Sequence, residues 1–260
     1  MKVVILAGGL GTRISEESHL RPKPMIEIGG HPILWHIMKI YSHYGFNEFV
    51  ICLGYKGYMI KEYFADYYLH TSDVTFDFTA HNRMTIHNNV SEPWKVTLVD
   101  TGLNAQTGAR IKRVQKYIGN EPFMLTYGDG VSDVDVKALV KFHQQNKNAL
   151  VTMTAVQPGG RFGMLDIDPH SSTITRFVEK AKEDGGWING GFMVLDPKIF
   201  DYIDDNEETI FEKYPLETIA HEGHLQAYKH TGFWQCMDTQ RDKYQLEALW
   251  TEKNAPWKLW

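Results

Sequence analysis

Short apolar runs alternate with helix-patterned segments through the first 150 residues, and this alternation restricts the fold more than any other feature of the chain. Val3 to Ala7, Phe49 to Leu53, Val96 to Val99, Phe123 to Tyr127 and Leu150 to Val156 are apolar almost throughout, so they read as strands with neither face in water. Between them, Ile33, Ile37, Ile40 and Tyr41 repeat at helical spacing, and Ile60 to Tyr68 and Val134 to Phe142 read as further helices. Strand–helix–strand units of this kind build a mostly parallel sheet with helices on both faces.

Beyond Pro158 the pattern changes to glycine-punctuated strands at Phe162 to Ile167, Ile174 to Glu179 and Ile188 to Leu195. A short helix near Leu216 to His221 and another containing Tyr244 to Trp250 follow. The expected fold is therefore α/β: a Rossmann-like, mostly parallel sheet with a small antiparallel lobe supplied by the second half, which then returns to the sheet. No repeat, low-complexity tract or Pro/Ser-rich linker divides the 260 residues, so one domain is expected. The aromatic tail Pro256 to Trp260 would pack within the subunit or against another.

Composition narrows the partners. A formal charge of −5 gives no general attraction to nucleic acid or to an anionic membrane, so any phosphate site must be local. Neither the start of the chain nor its interior offers a signal-peptide pattern or a run of roughly 20 apolar residues. The two cysteines, Cys52 and Cys236, lie far apart in apolar surroundings, as reduced, buried thiols do. These features predict a cytoplasmic protein. Among the twelve histidines, His221-Glu222-Gly223-His224 lacks the H-E-x-x-H spacing of a metal helix.

The strongest chemical signal follows the first strand: Leu6-Ala7-Gly8-Gly9-Leu10-Gly11-Thr12-Arg13, with Lys23 in Arg21-Pro22-Lys23-Pro24 shortly after. Glycines let backbone N–H groups approach a polyphosphate, while Thr12, Arg13 and Lys23 add a hydroxyl and two cations. A tight turn would account for the glycines alone but not for the paired cations. Two common nucleotide loops are excluded. Gly9-Leu10-Gly11-Thr12-Arg13 runs into Ile14 where a dinucleotide fingerprint needs its third glycine, and no G-x-x-x-x-G-K-[ST] occurs.

A second signal, Thr126-Tyr127-Gly128-Asp129-Gly130, ends a predicted buried strand. Ligands of open parallel sheets bind beyond the carboxyl ends of the strands, where Asp129 would share a crevice with the glycine loop. Asp238, in Met237-Asp238-Thr239, offers another carboxylate. Two carboxylates plus phosphate oxygens and water suffice for Mg2+. Each aspartate also reads as a helix cap, Asp129 for the helix near Val134 and Asp238 for the one containing Tyr244.

Taken in order, Gly8 to Arg13, Pro22-Lys23-Pro24, Gly128-Asp129, Phe177-Val178-Glu179-Lys180, Asn189-Gly190-Gly191 and Met237-Asp238-Thr239 resemble the motifs of the sugar-1-phosphate nucleotidyltransferases. Tyr55-Lys56-Gly57-Tyr58, Leu98 to Gly102, Thr107-Gly108 and the stretch from Phe233 to Asp242 are most similar to the branch that uses CTP and glucose 1-phosphate. The resemblance implies a nucleotide-binding portion at about residues 1–150 and a sugar-binding and metal portion at about 151–250. It implies that Leu6 to Arg13, Lys23, Thr101, Thr107, Gly108, Arg110 and Gly128 hold the nucleotide, with Arg13, Lys23 and Asp129 catalytic. Asp129 and Asp238 would bind Mg2+, and Glu179, Lys180, Asn189 and Gly190 the sugar phosphate. It further implies a homo-oligomer and a CDP-glucose product serving deoxysugars of a bacterial surface polysaccharide. This chain departs from the family pattern at Ala109, where glycine is common, and at Ala181, where proline often follows the Glu-Lys pair.

Overall fold

The computed structural model describes residues 1–88, 91–157, 163–167, 174–179 and 186–260. Seven strands form the central sheet, in the spatial order Leu225–His230, Val151–Val156, Ile188–Leu195, Phe123–Tyr127, Val3–Leu6, Glu48–Leu53 and Lys95–Asp100. Val3–Leu6 pairs in parallel with Glu48–Leu53 on one side and Phe123–Tyr127 on the other. Ile188–Leu195 alone runs against the rest, pairing antiparallel with both of its neighbours.

Alternation along the strands explains why both faces are covered. Val3, Ile5, Phe49, Ile51 and Met124 join one apolar cluster with Ile33, Ile37 and Tyr41 of the helix Ile33–His43. The intervening Val4, Val50, Phe123 and Leu125 join a second cluster with Ile111, Leu216 and Ile219 on the opposite face. A strand at the middle of such a sheet has no solvent side, which accounts for the uninterrupted apolar runs in the sequence.

Four features differ from the sequence expectation. The helix expected over Ile60 to Tyr68 is two helices, Gly57–Ala65 and Tyr67–Thr71, because the backbone leaves helical geometry at Asp66 (φ −102°, ψ 4°). Leu225–His230 is an edge strand parallel to Val151–Val156, and its glutamine, lysine and histidine conceal it from an apolar-run criterion. Asp73–Asp77 and Arg83–His87 form an exposed hairpin whose pattern records no buried face. The helix Thr107–Arg113 is also new; its Lys112 and Arg113 break the apolar stripe. The tail folds back within the subunit: Trp257 is fully buried and stacks on Phe233, and Trp260 meets Trp35 edge-on.

Gly163–Ile167 and Ile174–Glu179 pair as an antiparallel hairpin outside the main sheet. No helix among the described residues is long and apolar enough to cross a membrane.

Candidate active site

The carboxyl ends of the central strands open into a cleft of about 350 Å3. Its floor begins where Val3–Leu6 stops and the chain turns through the glycine loop. Ala7 N donates to Cys52 O at 3.0 Å and Tyr55 N to Gly8 O at 3.1 Å, so the start of the loop is tied to the neighbouring strand. Gly11 turns the chain at φ +66°, a value that favours glycine, into the short helix Thr12–Ile14. The N–H groups of Gly9, Leu10 and Gly11 donate to no acceptor among the described residues, as a phosphate-binding loop requires.

Lys23 is held by its proline neighbours. Pro22 fixes an extended approach (φ −64°, ψ 147°), and Met25 N then closes a turn on Pro22 O at 2.8 Å. The buried ammonium reaches Asp129 Oδ2 at 2.5 Å and Asp238 Oδ1 at 2.7 Å. Burial opposes its charge, yet Asp129 and then Asp238 outweigh that effect and hold the ammonium above its ordinary range.

A small sheet joins the two acids. Asp129 leads from Phe123–Tyr127 into Gly130–Ser132, which pairs antiparallel with Trp234–Cys236 so that Gly130 faces Cys236. Met237 N donates to Asp129 O at 2.8 Å, and the next residue is Asp238. Asp242 then fixes the turn, its Oδ2 accepting from Asp238 N at 3.0 Å and from Thr239 N and Oγ1 at 2.8 Å each. Neither site aspartate is a helix cap. Thr239 caps Gln240–Thr251 in a capping box with Asp242, and Asp135 caps Val136–Gln145.

Asp238 Oδ2 also accepts from Arg13 Nη1 at 2.6 Å. Burial pushes the Asp238 carboxyl up, but Lys23, followed by Arg13, holds it below its ordinary value. Cys236 is not in the apolar surroundings expected for it. Its Sγ lies 3.6 Å from Asp238 Oδ2, and burial, then the Asp238 charge, push the thiol up to about 12.

Among the residues expected to hold nucleotide, Leu6, Ala7, Gly8, Gly9, Gly11, Thr12, Arg13, Lys23, Thr107, Arg110 and Gly128 line the cleft, together with Asp129. Leu10 instead points outward, 53% exposed. Gly108 is packed on the chain at Thr209, whose O accepts from Gly108 N at 2.8 Å. Thr101 is buried and donates its hydroxyl to Leu53 O at 2.7 Å. Although Arg110 touches the cleft, both terminal nitrogens of its guanidinium are engaged by the protein. It donates to Gly8 O (3.0 Å), Leu53 O (3.0 Å), Thr101 Oγ1 (2.8 Å), Gly102 O (2.8 Å) and Leu103 O (3.2 Å). Ala109 is buried with its N–H on Thr209 O, so its methyl group is accommodated.

Asn189 and Gly190 do not line the cleft themselves: Asn189 Nδ2 donates to the hydroxyl of Tyr127, which does, at 3.1 Å, and Gly190 O accepts from Trp234 Nε1 at 2.7 Å. Glu179 is described by its backbone alone, opposite Gly163, while Lys180 and Ala181 lie outside the described residues. Tyr127 and Glu212 escaped the sequence reading. Tyr127 is the half-buried end of an otherwise buried strand, a usable signal, whereas Glu212 sits in a stretch with no periodicity.

The Nucleotidyl transferase family matches residues 2–250. Glucose-1-phosphate cytidylyltransferase of Salmonella typhimurium is 58% identical over 261 aligned residues, covering all of both chains. The probable glucose-1-phosphate cytidylyltransferase of Bacillus subtilis is 44% identical, again over all of both. Among solved structures, HddC from Yersinia pseudotuberculosis superposes with a TM-score of 0.68 at 29% identity, covering 96% of this chain and 99% of its own. A second structure of HddC, complexed with GMP-PN, gives a TM-score of 0.67. On matches of this length and identity, the chain belongs to the nucleotidyl transferase family.

Proposed function

We propose that this protein transfers a cytidylyl group from CTP to α-D-glucose 1-phosphate, giving CDP-glucose and pyrophosphate. One observation carries the reading: end-to-end identity of 58% with a glucose-1-phosphate cytidylyltransferase, in a chain whose glycine loop, Arg13, Lys23 and paired acids meet at one cleft.

The attacking phosphate oxygen of glucose 1-phosphate is already anionic, so no side chain need remove a proton. The protein's task is to hold two anions in line and neutralise charge at the α-phosphorus. The free N–H groups of Gly9 to Gly11 cradle the triphosphate, and Arg13 steadies the departing pyrophosphate. Lys23 serves the α-phosphate region.

Asp129 and Asp238 would hold Mg2+. Their oxygens converge on one point, now satisfied by the Lys23 ammonium, and both are hard donors of the kind Mg2+ accepts. Among the described residues no third His, Cys, Asp or Glu joins them, which leaves the remaining positions to phosphate and water. When bound, the ion supplies charge neutralisation and alignment of phosphate oxygens. Lys23, once replaced between the acids, is then available to the phosphate. Asn189 and Gly190, with Glu179 and Lys180, are proposed to receive the sugar phosphate.

We further propose a single catalytic domain working in the cytoplasm as a homo-oligomer and supplying deoxysugars for lipopolysaccharide O-antigen. The free thiols of Cys52 and Cys236 support a reducing compartment. A matrix of nucleoside triphosphates against hexose 1-phosphates, with and without Mg2+ and read by pyrophosphate release, tests the reading. CTP with glucose 1-phosphate and Mg2+ should be fastest. Preference for UTP or dTTP would overturn the base assignment, and no release from any pair would overturn transfer itself.

A further inference from the structure

We infer that Glu212 is a positioning residue that ties the nucleotide side of the cleft to the sugar side, so that each substrate tightens the other's binding. The inference rests on the proposed two-substrate reaction. Glu212 lies in the link before the helix Tyr214–His221 and is remote in sequence from every phosphate or metal motif. One of its oxygens, Oε2, accepts the Thr107 hydroxyl at 2.5 Å, and the other, Oε1, accepts the Tyr127 hydroxyl. Thr107 begins the helix Thr107–Arg113 and lines the cleft, as does Tyr127 at the end of Phe123–Tyr127.

Every hydrogen in this relay has one direction. A carboxylate only accepts, so both hydroxyls must donate to it. The Thr107 oxygen in turn accepts Phe211 N–H at 2.9 Å, and the Tyr127 oxygen accepts Asn189 Nδ2 at 3.1 Å. Asn189 cannot flip without loss, because its Oδ1 accepts Gly191 N–H at 2.8 Å. The ring of Tyr127 is also fixed: it lies against Gly191, where an added Cβ at φ +82° would approach Tyr127 Cδ2 to 2.7 Å. Burial, then the Glu212 charge, push the Tyr127 phenol above its ordinary range, so it remains a donor through neutral pH.

A network satisfied at each step in a partly buried cleft is cooperative, and ordering one end lowers the cost of ordering the other. A nucleotide seated beside Thr107 therefore strengthens the bonds that already hold Tyr127 and Asn189 for the sugar phosphate, with a coupling of about tenfold in affinity. Glu212→Gln replaces one acceptor oxygen with an amide donor facing a hydroxyl that donates to it in the wild type. Tyr127→Phe removes the relay's middle hydroxyl and keeps the packed ring.

The test measures glucose 1-phosphate binding by calorimetry with and without CTP, and KM and kcat for both substrates, in the wild type, Glu212→Gln, Tyr127→Phe and the double variant. Thermal melting checks folding. The inference expects the CTP-dependent tightening to vanish in either single variant, KM for glucose 1-phosphate at saturating CTP to rise about tenfold with a smaller change in kcat, and the double variant to resemble the singles. Folded variants with wild-type coupling, or effects that simply add in the double variant, would overturn it. Should Glu212→Gln fail to fold, Tyr127→Phe decides alone. Absence of turnover in the wild type would strike the proposed reaction instead, while coupling remains readable from binding.

Discussion

Lys23 Nζ lies 2.7 Å from Asp238 Oδ1 across 215 residues of sequence, and the same ammonium touches Asp129 at 2.5 Å. One internal cation thus neutralises a pair of acids that would otherwise repel each other within a partly buried cleft.

Replacing Lys23 by Met or Ala should lower turnover about a hundredfold or more while leaving the circular dichroism spectrum unchanged. Without the ammonium, burial raises the Asp238 carboxyl, opposed by exposed Arg13 and the Cys236 thiol. The variant should therefore be less stable by about 1–3 kcal/mol, a figure reduced from that for a fully buried pair because Asp129 retains some solvent access. Added Mg2+ should raise its melting temperature more than that of the wild type. Wild-type turnover in Lys23→Ala would remove Lys23 from the mechanism, and equal Mg2+ shifts would count against the paired acids as the ion's site.

Arg110 defines the second prediction. Resemblance assigned it to the nucleotide, but its guanidinium bonds five protein acceptors and serves as a clamp between the glycine loop, Leu53 and the Thr101 to Leu103 turn. Lysine has the charge without the planar fork and reaches fewer of these oxygens. Arg110→Lys should destabilise the protein by roughly 2–4 kcal/mol in urea unfolding, since buried carbonyls are left without donors. KM for the nucleotide should rise more than kcat falls. Unchanged stability would show that the clamp is dispensable.

The same clamp makes Gly54 sensitive. A Cβ there would lie 2.5 Å from both Gly8 O and Arg110 Nη1, and neither can yield easily because they are bonded to each other through Nη2 at 3.0 Å. Gly54→Ala should displace the start of the glycine loop and weaken nucleotide binding by about tenfold or more, measured by calorimetry; about 1.4 kcal/mol of lost contact is enough. Gly186→Ala is the control, because a Cβ at Gly186 meets nothing within 4 Å and the residue does not line the cleft. Equal effects of the two substitutions would argue against the clamp as the cause.

These relationships mark how far the sequence could be read. The buried strands were legible because both faces are covered, so Val3–Leu6 and Phe123–Tyr127 are apolar at nearly every position. Lys23, Asp129 and Asp238 were identified through motif order. That Arg110 is consumed by carbonyls was not legible, since its acceptors come from Gly8, Leu53 and the turn after Lys95–Asp100, three segments brought together only by the sheet. Glu212 was hidden for the same reason: its partners Thr107 and Tyr127 lie 105 and 85 residues away. The strand Leu225–His230 escaped because an edge strand retains polar residues on its exposed positions.

His36 supplies a prediction in pH. It is fully buried, its Nε2 hydrogen-bonds to Ile28 O at 2.9 Å, and its Nδ1 accepts Trp257 Nε1–H at 3.3 Å. These partners require the neutral ring with hydrogen on Nε2, because a proton on Nδ1 would oppose the indole N–H. Burial accordingly lowers its pKa from 6.5 to about 4. The unfolded chain takes up this proton near pH 6.5 and the folded chain only near pH 4, so stability should fall as pH drops through that interval and level off below it. The full loss is roughly 3 kcal/mol as an upper bound. Urea midpoints measured between pH 7 and 4 should therefore decline more steeply in the wild type than in His36→Gln. The slope that remains includes His143, which is likewise buried and lowered. Parallel declines in the two proteins would mean that His36 is protonated in the folded state, and that the tryptophan cluster around it tolerates the charge.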